Sequence, residues 1–131
     1  MAEYRGPVID WTFDAGASSL ASYQYCIVKL HTDGTVVLAE TAGAAVHVLG
    51  VLQNKPGAGE QALVRIFGGS KLKVSGGTDI VPGDGIVATT GGVGVKNTND
   101  KYLVVGRCFQ AYGDSGTDIY EVFVNPGWQA V

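Results

Sequence analysis

A chain of 131 residues with a net charge of −3, 46% hydrophobic and only 16% charged residues, has the size of one domain with one modest core. Neither charge sign forms a run, which leaves no cationic patch for phosphates or an anionic membrane and argues against nucleic acid and membrane as partners. No stretch reaches the roughly 18 consecutive apolar residues of a membrane helix, and Met1–Asp10 carries Glu3 and Asp10 with no hydrophobic signal core behind them, so a soluble chain without a secretion signal is expected.

Along the chain, twenty glycines punctuate short β-branched runs, the pattern of many strands joined by tight turns. From Met1 to Ala21 there is no such rhythm, and Ile9, Trp11 and Phe13 alternate with Asp10 and Thr12 as an apolar stripe on an extended arm. Two readings of this arm stand: it folds back on its own domain, or it lies across a neighbouring subunit and adds a strand there. The alternating stretch Tyr23–Leu30 predicts a strand, Asp33-Gly34 a hairpin turn supplying positive φ, and Thr35–Ala39 the returning strand. Val46–Gln53 reads as a buried strand with Gly50 at a bulge or a close approach.

Ala62–Phe67 and Lys71–Val74 are expected as two strands around Gly68-Gly69, and Pro82–Gly85 as a break before the short Ile86–Thr89. Tyr102–Ala111 and Ile119–Val124 complete the set, with Tyr120, Val122 and Val124 facing the core and Glu121 facing water. No segment keeps a 3.6-residue period, so helix is scarce. The expectation is an all-β chain: a small glycine-rich β-barrel or sandwich, 22–131, preceded by an extended N-terminal arm, 1–21. Trp128, near the C-terminus, either caps its own core or serves as a contact, since Trp is enriched at interfaces.

Fragments that resemble catalytic motifs lack their context. Gly113-Asp114-Ser115-Gly116 matches the tetrapeptide around the nucleophile of trypsin-like proteases, but Thr117-Asp118 follows where that family has Gly-Pro, and the chain is far too short for two barrels. A turn is the preferred reading. Gly57-x-Gly59-x-x-Ala62 fits a relaxed dinucleotide fingerprint, yet Leu63–Phe67 after it looks like strand and not helix. His31 and His47 have no partners at metal-ligand spacing. The turns Asn97–Asp100 and Asp114–Asp118 lack the full calcium-loop pattern. Cys26 and Cys108 lie in apolar, strand-like surroundings and read as reduced thiols, with a disulfide between them as the alternative. No catalytic residue, cofactor or metal is expected.

The run Leu49–Pro56 with Gly59–Ile66 resembles the capsid decoration, or cement, proteins of tailed bacteriophages. Gly69–Val74, Ile80–Ile86, Val105–Ala111 and Ile119–Val122 follow that family's order, so the likeness spans about Tyr23 to Val124. The aromatic N-terminal arm and the turn Tyr112–Thr117 depart from it. The resemblance implies no enzyme but a structural protein made in the host cytoplasm. It would sit as a homotrimer on the outer capsid surface where major capsid protein subunits meet, stabilising the expanded head. In that scheme Ile9, Trp11, Phe13 and Trp128 are the contact candidates. Another virion structural or adhesion module, such as a fibre base, is the alternative, with a small serine hydrolase using Ser115 behind it.

Overall fold

A computed structural model describes residues 6–43, 46–75, 80–99, 101–109 and 117–128. The chain is all-β as expected, with helix among the described residues confined to one 3-10 turn, Thr90–Gly92. Among the described residues nine strands follow in order: β1 Ile9–Asp14, β2 Ile27–Leu30, β3 Val36–Leu38, β4 Val48–Leu52, β5 Gln61–Ser75, β6 Gly85–Ala88, β7 Gly94–Lys96, β8 Leu103–Cys108 and β9 Thr117–Trp128.

The organising element is β5, 15 residues long. Where two strands were expected around Gly68-Gly69, one continuous strand runs through both glycines. The pair marks a change of partner: β1 lies against Gln61–Phe67 and β9 against Gly68–Ser75, both antiparallel. Gly68 has a φ of +107°, and a Cβ there would lie 2.6 Å from the Pro7 carbonyl oxygen, so only glycine lets the incoming arm pass this close.

The C-terminal half of β5 belongs to a closed five-stranded barrel in the order β5-β7-β6-β8-β9, which returns to β5. Its β5–β7 contact is parallel and the others antiparallel. The N-terminal half carries β4, β2 and β3 on one edge and β1 on the other. Ala15 then bridges Val36, so this second sheet nearly closes on itself.

Two cores result. Leu72, Val74, Ile86, Val105, Val122 and Val124 fill the barrel, while Val28, Val36, Leu52, Ala62 and Val64 fill the second sheet. Ile27 and Val51 join the barrel core, although their chain neighbours Val28 and Leu52 join the other. Because successive side chains point to opposite faces, β2 and β4 form a layer buried on both sides.

The Asp33-Gly34 hairpin forms as expected, with Gly34 at φ +86° and Val28 opposite Leu38. The strand before it is shorter than Tyr23–Leu30, because Tyr25 sits at φ +67° and Cys26 N–H donates to the Tyr23 carbonyl in a turn. Val122 and Val124 face the core and Tyr120 packs against it, but Glu121 is only 6% exposed and not water-facing. The outer face of β9 is covered there, with Lys71 of β5 as its cross-strand partner. Cys26 and Cys108 are buried free thiols, and burial pushes the Cys26 thiol up despite the opposing field of Lys73.

Candidate interaction surface

The arm residues Ile9, Trp11 and Phe13 are brought onto one strand, β1, which folds back on the chain's own β5 with Trp11 opposite Val64 and Phe13 opposite Ala62. Phe13 turns into the second core. Val8, Ile9 and Trp11 do not: they are 44%, 49% and 60% exposed, three of the large hydrophobics most open to solvent. A contiguous exposed apolar stretch that includes a Trp is the type of surface proteins use for contacts. The backbone of Trp128 pairs with Leu103 at the end of β9, on the barrel half.

The sequence did not point to what fastens this strand. Arg65, near the middle of β5, donates from Nε to Asp10 Oδ1 at 2.8 Å and from a terminal nitrogen to Asp10 Oδ2 at 3.0 Å, a two-point fork. Its remaining terminal nitrogen donates to the Gly69 carbonyl at 2.8 Å, so one side chain ties β1 to the point where β5 changes partner. These bonds to Asp10 hold the guanidinium proton more tightly, outweighing the opposing effect of burial. Asp14 accepts a hydrogen bond from the Gln61 side chain at 2.8 Å. Fifty-five positions separate Asp10 from Arg65, and no local pattern reports such a pair.

The motif fragments find plain structural roles. Gly57–Glu60 belongs to the loop joining antiparallel β4 and β5, and the Glu60 carboxylate accepts from the Gly57 N–H. A strand follows it, not a helix, so no helix N-terminus is available for pyrophosphate. His31 lies 3.2 Å from Asp33 in an exposed hairpin turn. Among the described residues no three His, Cys, Asp or Glu side chains converge. Ser115 and its Gly113–Gly116 turn lie outside the described residues.

Asp33 has a structural duty that can be measured. It accepts hydrogen bonds from the Thr35 hydroxyl at 2.6 Å and the Thr35 N–H at 2.9 Å. These bonds, with a smaller contribution from His31, lower its pKa from 3.8 to about 2. A lowered folded-state value means that the stabilisation is present above pH 3.8 and is lost as pH falls through about 2. A carbon-detected NMR titration should show the Asp33 carboxyl midpoint near 2, returning toward 3.8 in Thr35→Ala. A wild-type midpoint of 3.8 would show that the turn bonds do not hold in solution.

No protein-family model matches this chain, and no curated protein matches it either. Among solved structures, it is similar to the crystal structure of the head fiber gp8.5 N base in bacteriophage phi29. The superposition has a TM-score of 0.60 at 13% identity, covering 95% of this chain and 100% of that one. At that identity the likeness is one of fold: both chains share the β architecture over essentially their whole lengths.

Proposed function

We propose that this protein is a non-enzymatic structural component of a tailed-phage virion that attaches to the outer surface of the head. The observation that carries this reading is the end-to-end fold similarity to the base of a phage head fiber, with neither chain leaving a large part unmatched. The resemblance of Leu49–Pro56 and Gly59–Ile66 to capsid decoration proteins points to the same location by a separate route. In the decoration form the protein binds the expanded capsid where major capsid subunits meet. It stabilises that state by mass action, and trimers raise the effective concentration at each seam. A second reading, a fibre base fixed to the head, is favoured by the base domain that the fold matches.

The exposed stretch of Val8, Ile9 and Trp11 is the contact surface in either form, with Trp128 a second candidate. Co-sedimentation with expanded and unexpanded phage heads, with the mass in solution measured by light scattering, is the test. Saturable binding to expanded heads alone, by a trimer, supports decoration, and equal binding to both forms supports the fibre base. Absence of binding to either overturns the proposal. Trp11→Ala should weaken binding by about 2 kcal/mol, the loss typical of a central aromatic contact, while leaving the melting temperature nearly unchanged because the ring is exposed.

A further inference from the structure

The geometry points to the outer edge of β1 as a docking edge for an extended segment of another chain, one that alternates apolar residues with Lys or Arg. The inference deepens the head-binding reading and rests on it for where the partner is found, but the edge itself is defined by hydrogen-bond directions.

In an antiparallel pair, successive residues alternate between bonding to the partner strand and pointing away from it. Ala15 N–H donates to the Glu60 carbonyl at 2.8 Å, one step beyond Asp14 opposite Gln61. Counting back by twos places Phe13 and Trp11 among the residues bonded to β5, and Asp14, Thr12 and Asp10 among those turned away. Leu63, the partner of Thr12, confirms this phase from the other side. Its N–H donates to Asn54 Oδ1 at 2.9 Å and its carbonyl accepts from Gln53 N–H at 2.8 Å, so both groups are directed away from β1.

The outward N–H and C=O groups of Asp10 and Thr12 therefore have no partner among the described residues. At its far end the edge is covered, since Ala15 bridges Val36 and Gly16 N–H donates to the Val36 carbonyl at 3.1 Å. The open part is the stretch that carries Ile9 and Trp11. Short exposed strand edges of this kind are templates for another extended backbone.

The side chains select the occupant. One face of β1 presents Ile9 and Trp11, exposed and apolar, while the other presents Asp10, Thr12 and Asp14. Arg65 neutralises Asp10, whereas among the described residues Asp14 is met only by the uncharged Gln61 amide. An incoming strand gains from apolar residues beside Trp11 and from a cation opposite Thr12, on the same face as Asp14 and within diagonal reach of it. A second copy of β1 is disfavoured, because full antiparallel overlap about Thr12 sets each Asp10 against an Asp14.

The test uses the whole protein and a short capped synthetic peptide alternating Val and Lys, with amide hydrogen exchange read by NMR. In the free protein the amides of Trp11 and Phe13 should be protected and that of Thr12 should exchange rapidly. Addition of the peptide should slow Thr12 roughly tenfold or more, an effect that a Val/Glu peptide does not reproduce. Thr12→Pro removes the outward N–H without touching a bond to β5 and should abolish peptide binding, while Thr12→Val, which keeps the N–H, should retain it. A Thr12 amide already protected in the free protein, no slowing by the Val/Lys peptide, or binding that survives Thr12→Pro would each overturn the inference. Failure of the wild type to bind phage heads would overturn the proposed function instead and leave the peptide result to stand by itself.

Discussion

Leu72→Ala is expected to lower the unfolding free energy by about 2–5 kcal/mol, the range for removing a buried leucine from a core that relaxes only partly. Leu72 is fully buried on β5, among the residues that fill the closed barrel. Its side chain reaches over Gly94, where an added Cβ would lie 3.0 Å from Leu72 Cδ2, so packing on that side is already tight. A closed ring of strands cannot collapse easily onto a vacated volume, because each strand is held by neighbours on both edges. Small domains hold about 5–15 kcal/mol in total, so this one change removes a substantial fraction of it. Urea denaturation followed by circular dichroism measures the change. Leu30→Ala, at an exposed position on β2, should cost less than about 1 kcal/mol. Equal losses at the two sites would mean that the barrel interior is not the stabilising core.

Gly106→Ala should destabilise by about 3 kcal/mol or more, the upper part of the range for overpacking. A Cβ on Gly106 would lie 2.0 Å from the Phe123 carbonyl oxygen and 3.0 Å from the Val124 Cα. These are backbone atoms of the neighbouring strand, so no rotamer change relieves the contact and β8 must move away from β9. The site adjoins the register shift between Val104 and Gly106, where the two strands already depart from a regular ladder. Gly50 repeats the arrangement in the second sheet, where a Cβ would lie 2.0 Å from the Arg65 carbonyl oxygen. Gly6→Ala, with nothing near the added carbon, should change stability by less than about 0.5 kcal/mol. Thermal melts of the wild type and the two variants decide this, and a Gly106→Ala protein as stable as Gly6→Ala would contradict the close spacing of β8 and β9.

That Gly50 marks a bulge or a close approach is legible in the sequence, because a lone glycine inside a β-branched run gives up side-chain packing and chain stiffness, a loss strands accept mainly at such places. Which strand approaches it is not legible, since Arg65 lies in another element. The contact candidates divide in the same way. The alternation of Ile9, Trp11 and Phe13 announced a strand with one apolar face, but not that Phe13 enters a core while Ile9 and Trp11 stay open. That division depends on where the second sheet ends relative to β1. Glu121 is the counterexample: alternation placed it on the face opposite Val122, correctly, and the further step that this face meets water failed because other parts of the fold cover it.

By itself the sequence determined the β class, the scarcity of helix, the Asp33-Gly34 turn, most strand positions and the strand nature of Ala62–Phe67 after a glycine loop. These follow from φ/ψ preferences and period-two alternation, properties of a residue and its near neighbours. Only the tertiary structure decided that β5 runs unbroken through Gly68-Gly69 and that β2 and β4 are buried on both faces between two cores. It also decided that β1 returns to its own β5 under the Asp10–Arg65 clasp. Strand pairing joins residues tens of positions apart, and one alternating segment offers nearly the same backbone edge as another. The choice among partners is therefore made by collective packing and by a few specific side-chain ties, which no local stretch of the chain contains.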